Sequence, residues 1–106
     1  MLLLTIDYVP GRETAQSLGL VTGSVVSSKH LGRDLMAGLK TIVGGEIQGY
    51  TEMLEDARKI AFERLQAQAA AMGADAVVGI RLTSSSVMES AAEVTAYGTA
   101  VRLRLN

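Results

Sequence analysis

Apolar positions change their period several times along this chain, and each change marks an element. Leu2 to Ile6 is a short apolar run closed by Asp7, Pro10 and Gly11, which predicts a short strand entering a turn. Leu18 to Ser28 is rich in Val, Ser and Thr and predicts a second strand. Gly19 and Gly23 inside it predict bulges or places where another backbone comes close. From His30 the period lengthens: Leu31, Leu35, Leu39 and Ile42 recur at three- and four-residue intervals, one face of a short helix. That helix is expected to stop at Gly44 and Gly45, because glycine enters the left-handed conformation that ends helices at little cost.

A second, longer helix is predicted from Thr51 to Gly73. Thr51 suits the N-cap, Glu52, Glu55 and Asp56 put negative charge near the positive end of the helix dipole, and Gly73 supplies the stop. Met53, Ala57, Ile60, Ala61 and Leu65 form its apolar stripe. Glu55 and Lys59 stand four apart in the favourable order, an exposed pairing that adds about 0.2 to 0.5 kcal/mol. The last turns, QAQAAAM, carry side chains small enough for a neighbour to lie close.

Beyond Gly73 the pattern is extended again. Ala76 to Leu82 is a compact apolar strand, SSSVMESA reads as a hairpin loop, and Val94 to Leu105 is a longer strand in which Val101, Leu103 and Leu105 alternate with Arg102 and Arg104. The order strand, strand, helix, helix, strand, strand predicts an α+β fold in two layers, both helices covering one face of an antiparallel sheet. The chain of 106 residues has no Pro-, Ser- or charge-rich linker and is expected to be one domain spanning 1–106.

Composition narrows the function. Ten basic and eleven acidic residues leave a net charge of -1, too weak a field to gather phosphate backbones or anionic lipid, so neither nucleic acid nor a membrane is an expected partner. Cysteine is absent, which removes thiolate nucleophiles and the soft ligands of structural zinc and copper sites. Asp7 interrupts the apolar N-terminal MLLLTI, and neither a basic region nor a small-residue cleavage site accompanies it, so cytoplasmic residence is expected. With 48% hydrophobic but only 4% aromatic residues, the core must be close-packed Leu, Val, Ile, Ala and Met, and the surplus apolar surface points to self-association.

The strings GRDLMAGLKTIVGGEIQGYTEMLEDAR, GADAVVGIR and AYGTAV, with the DYVPG turn, resemble the YbjQ family, small uncharacterised bacterial proteins carried under a heavy-metal-binding label. The resemblance runs over essentially the whole chain. It implies a two-layer α+β subunit with a dodecin-like architecture that assembles as a ring-shaped homopentamer.

The metal label meets a sparse donor set. With one histidine and no cysteine, a tetrahedral nitrogen and sulfur site cannot be built within one subunit. His30 and Asp34, four residues apart, share one helix face if the helix includes His30. Glu46, Glu52, Glu89 and Glu93 offer oxygen ligands for a hard cation. The candidate ligands of a divalent ion are therefore His30, Asp34 and Glu46. A ring could multiply a lone His30 into a metal site or a lone Arg33 into an anion site. Against this stand plain readings: a helix-start histidine bonded to backbone, and solvated carboxylates.

No catalytic residue is assigned. Ser84, Ser85 and Ser86 have no evident base. Gly44, Gly45 and Gly49 could cradle a phosphate at a helix start, but helix termination and a tight crossover explain them, and the P-loop Lys and Ser/Thr are missing. Tyr50 and Tyr97 could stack on a planar ligand, flavin included, at a subunit boundary, or bury their rings and satisfy their hydroxyls locally. The expected function is a homo-oligomeric binding protein for a metal ion or small ligand held at subunit interfaces or on the ring axis. The alternative is an interaction module presenting a multivalent ring surface, and an enzyme ranks below both.

Overall fold

The computed structural model describes residues 1–28, 42–43, 46–88 and 91–105, with only the backbone path given at 42, 43 and 46–48. Its elements are β1 (Leu2–Leu3), β2 (Thr14–Ser28), β3 (Ile42–Val43), β4 (Glu46–Ile47), α1 (Gln48–Ala71), β5 (Ala76–Met88) and β6 (Ala91–Leu103). β1, β5, β6 and β2 form one sheet in that order, and β3 and β4 form a separate two-stranded pair. The fold is α+β, as the element pattern predicts.

The sheet is mixed, where the sequence predicts an antiparallel one. β2 and β5 run antiparallel to β6, but β1 runs parallel to β5. Beyond the paired Leu2 and Leu3, backbone bonds hold the chain to β5 as far as Ile6: Leu4 N–H donates to Val77 O at 2.9 Å, Ile80 N–H to Leu4 O at 3.0 Å and Gly79 N–H to Ile6 O at 2.8 Å. An apolar run reports burial, not direction, so the sense of β1 was not available from its residues. The turn after it is as expected. Arg12 N–H donates to Val9 O across Pro10 and Gly11, and Gly11 has φ +77°, the combination of a type II turn.

Among the described residues there is one helix. The helix expected from His30 lies outside them, except at its end: Ile42 belongs to β3 and pairs with Ile47, while Val43 pairs with Glu46. The β-branched Ile42 and Val43 favour extended backbone over a last helical turn. α1 then starts at Gln48, three residues before the expected cap, so Gly49 and Thr51 lie inside its first turn, which holds no acid. The β4 strand leads directly into the helix, and that geometry prevails over the capping preference of Thr51.

Met53, Ala57, Ala61, Leu65 and Ala69 are the buried stripe of α1, spaced by four, with Ile60 half-buried beside them. Ala57, Ala61, Leu65 and Ala69 pack on Val21 and Val25 of β2, Val77 and Ile80 of β5, and Val94, Ala96 and Ala100 of β6. Full burial of Leu65 contributes about 1.5 to 3 kcal/mol. Both glycines singled out in β2 have the expected roles. The register shifts between Ser17 and Gly19, where Gly19 takes φ +110°. At Gly23 a Cβ would run into the backbone carbonyl of Ala61 and the backbone nitrogen of Leu65, so the helix axis reaches the sheet only because no side chain intervenes. Gly73, at φ +80°, ends the turn after α1 as expected.

A smaller core lies on the other face, where Val9 and Leu4 cover Ala76, Val78, Val101 and Leu103. Val101 and Leu103 follow the expected alternation; Leu105 lies past the strand and is 92% exposed. The expected loop at Ser84, Ser85 and Ser86 is strand: they pair with Val94, Glu93 and Ala92. Their polarity reflects an exposed position, which the ladder with β6 tolerates without bending the chain.

The two sheet edges differ. On β2, Thr22 N–H donates to Gln68 Oε1 at 2.6 Å and Arg64 Nη1 donates to Ser24 O at 2.6 Å, so side chains of α1 occupy the middle of that edge. On β5, β1 covers only the first residues, and no described strand follows it alongside Arg81–Met88. The radius of gyration is 17.3 Å, with extents of 56 × 24 × 16 Å, against about 13 Å for a compact chain of this length.

Candidate functional site

Of the expected metal ligands, His30 and Asp34 lie outside the described residues. Glu46 is in β4, its backbone paired with Val43. Glu89 is also outside, Glu52 is exposed on α1, and Glu93 is half-buried on β6 between Val26 and Ser85. Among the described residues no three His, Cys, Asp or Glu side chains cluster as a metal site. The chain also has no thiolate to offer, so the donors of one chain do not fit a soft heavy-metal ion. Ser86 Oγ donates to Met88 O at 3.3 Å, a contact within the strand. Tyr50 is half-buried in the first turn of α1, whereas Tyr97 is 37% exposed.

A cleft of about 580 Å³ opens where the chain leaves β1, lined by Thr5, Ile6, Asp7, Tyr8 and Arg81. It begins with a bulge in β5. Val78 pairs with Thr99 and Arg81 with Tyr97, so Gly79 and Ile80 together oppose Gly98. Gly79 takes φ +63° to make that bend, a conformation that costs other residues steric energy. Gly98 is equally constrained, since a Cβ there would lie 2.9 Å from Val77 Cγ1 and from Val78 O. Gly98→Ala is accordingly expected to lower the urea midpoint by an amount equivalent to about 1 to 3 kcal/mol, followed by far-UV circular dichroism.

The bulge places Arg81 against the segment after β1. Its Nη1 donates to Thr5 O and to Ile80 O, each at 2.9 Å. Asp7 lies over Gly79, its Oδ1 3.4 Å from where a Cβ would stand. Asp7 and Arg81 share the cleft without forming an ion pair; the salt bridge among the described residues joins Arg104 and Glu13, 2.9 Å apart and exposed. Tyr8 is 60% exposed at the rim, and Tyr97 is the cross-strand neighbour of Arg81.

Three strings distinctive in sequence thus meet: DYVPG supplies Asp7 and Tyr8, GADAVVGIR supplies Gly79 and Arg81, and AYGTAV supplies Tyr97 and Gly98. Sequence reading identified the strings and Tyr97 but not the cleft. The available signal was a glycine two residues before an arginine at the end of an apolar strand, the mark of a bulge that turns a charged side chain aside.

Comparison with known proteins gives the lineage. The profile of the YbjQ family, described as "Putative heavy-metal-binding", matches residues 1–104. The UPF0145 protein of Shewanella frigidimarina is 59% identical, over 97% of this chain and 96% of its own length. That of Thermotoga maritima is 56% identical, over 97% of each. Among solved structures, a protein of unknown function of the DUF74 family from Pediococcus pentosaceus shares the fold, with a TM-score of 0.66 at 14% identity over 98% of each chain. The chain belongs to the YbjQ family of UPF0145 proteins.

Proposed function

We propose that this chain is the subunit of a ring-shaped, dodecin-like homopentamer that binds a divalent metal ion or a small ligand between its subunits or on the ring axis. The observation that carries this reading is the edge of β5 from Arg81 to Met88, which has no neighbouring strand among the described residues. A strand paired on one side only over that length is a template for another chain. Leu82, Val87 and Met88 on it and Val26 on β2 are exposed, apolar surface that association would remove from water. A closed ring needs two different surfaces in contact, and this sheet ends in two unlike edges. Cytoplasmic residence accords with the same reading: among the described residues no helix is long and apolar enough to cross a membrane.

Repetition around the ring is what makes a metal reading workable. His30, Asp34 and Glu46, too few in one chain, would recur in every subunit and supply mixed imidazole and carboxylate ligands for a borderline or hard cation. A native mass spectrum of untagged protein is expected to show a pentamer carrying a stoichiometric metal or organic adduct. His30→Ala is expected to abolish a metal adduct without changing the pentamer mass. A bare pentamer that takes up no divalent ion would favour the interaction module, and a monomer would overturn the proposal.

A further inference from the structure

We propose that the cleft between residues 5–8 and Arg81 is a binding site for a small zwitterion of the α-amino-acid class, its carboxylate on Arg81 and its ammonium on Asp7. The two carbonyls that hold Nη1 fix the guanidinium plane. Its Nε and Nη2 have no acceptor among the described residues. Those two donors lie side by side and match the two oxygens of a carboxylate, so a ligand there forms two parallel charge-assisted bonds with a group that is already oriented.

Asp7 decides which anion fits. It lines the same cleft without forming an ion pair with Arg81, and its negative charge opposes phosphate or any ligand that is anionic throughout. A ligand with an ammonium beside its carboxylate satisfies both groups and leaves the contacts of Arg81 with Thr5 and Ile80 intact. Ile6 and Tyr8 provide apolar surface for the rest of the molecule. The cleft is shallow and open to solvent, so the zwitterionic head makes the specific contacts and the ligand's side chain lies along Ile6 and Tyr8 at the surface. All these residues come from one chain and the site needs no metal, while Arg81 also begins the β5 edge at which the proposed ring contact lies.

The test is isothermal titration calorimetry of untagged wild-type protein against free amino acids with apolar and aromatic side chains. Their des-amino acids, their decarboxylated amines and inorganic phosphate are titrated alongside. At least one amino acid is expected to bind, with both of its analogues about tenfold weaker or more. Asp7→Asn should weaken the amino acid about tenfold and, with the opposing charge gone, should not weaken the des-amino acid, while Arg81→Lys should weaken both. Arg81 anchors Thr5, so its variant can also loosen β1; Asp7 makes no such contact, and Asp7→Asn separates ligand recognition from folding. The proposal is overturned if no amino acid binds, if phosphate binds more tightly than any of them, or if Asp7→Asn leaves amino-acid affinity unchanged.

Discussion

Alanine at Gly23 is expected to destabilise the fold by about 3 kcal/mol or more, the upper range of overpacking in a close-packed interior. The added methyl meets the Ala61 carbonyl and the Leu65 nitrogen, backbone atoms inside a continuous helix, so no rotamer change relieves the clash. α1 must move off β2, and the contacts of Ala57, Ala61 and Leu65 with Val21 and Val25 loosen together. Gly19→Ala is the control. Gly19 has φ +110° but open space around its Cβ direction, so the cost there is backbone strain alone, about 1 to 2 kcal/mol. Urea denaturation of both variants at one fixed protein concentration decides between them, because association adds to apparent stability in a concentration-dependent way. Equal midpoints would mean that close approach of the helix is not what Gly23 provides.

Gly23 also illustrates what a sequence can reveal. Glycine inside a β-rich segment announces either a bulge or a close approach, and Gly19 and Gly23 prove to be one of each. Neither residue names the partner, because the helix that presses on Gly23 lies some forty positions away. The stripe from Met53 to Ala69 was legible for a different reason: its period is set by the chain's own geometry and needs no knowledge of what it faces. Ser84, Ser85 and Ser86 misled because polarity reports exposure, and β5 is exposed there while remaining fully paired to β6. The sense of β1 was hidden because pairing partners distant in sequence leave no trace in a five-residue apolar run.

The cleft shows the same limit at the level of function. DYVPG, GADAVVGIR and AYGTAV were each conspicuous, yet what they build depends on a bulge that places Arg81 beside Thr5 and Asp7. A sequence gives the glycine that permits the bulge but not the carbonyls that then receive the guanidinium. His30 and Asp34 pose the opposite case: the residue types stand out for their chemistry, and they lie outside the described residues.

Proline at Ser84 is expected to dissolve the proposed ring while sparing the subunit. Ile80 uses both its N–H and its carbonyl on the β1 side, toward Leu4 and toward Arg81 Nη1. Backbone direction alternates along a strand, so the outward-facing groups beyond it fall at Leu82, Ser84 and Ser86. Ser84→Pro therefore deletes a donor on the open edge and leaves the ladder to β6 in place, the position where strands tolerate proline. Ser84 is exposed and belongs to neither core, so the helix signal in circular dichroism should persist. Light scattering after size exclusion should shift from the assembled mass to that of one chain. An unchanged assembly with intact secondary structure would mean that the subunits meet elsewhere, and the open edge of β5 would then need another occupant.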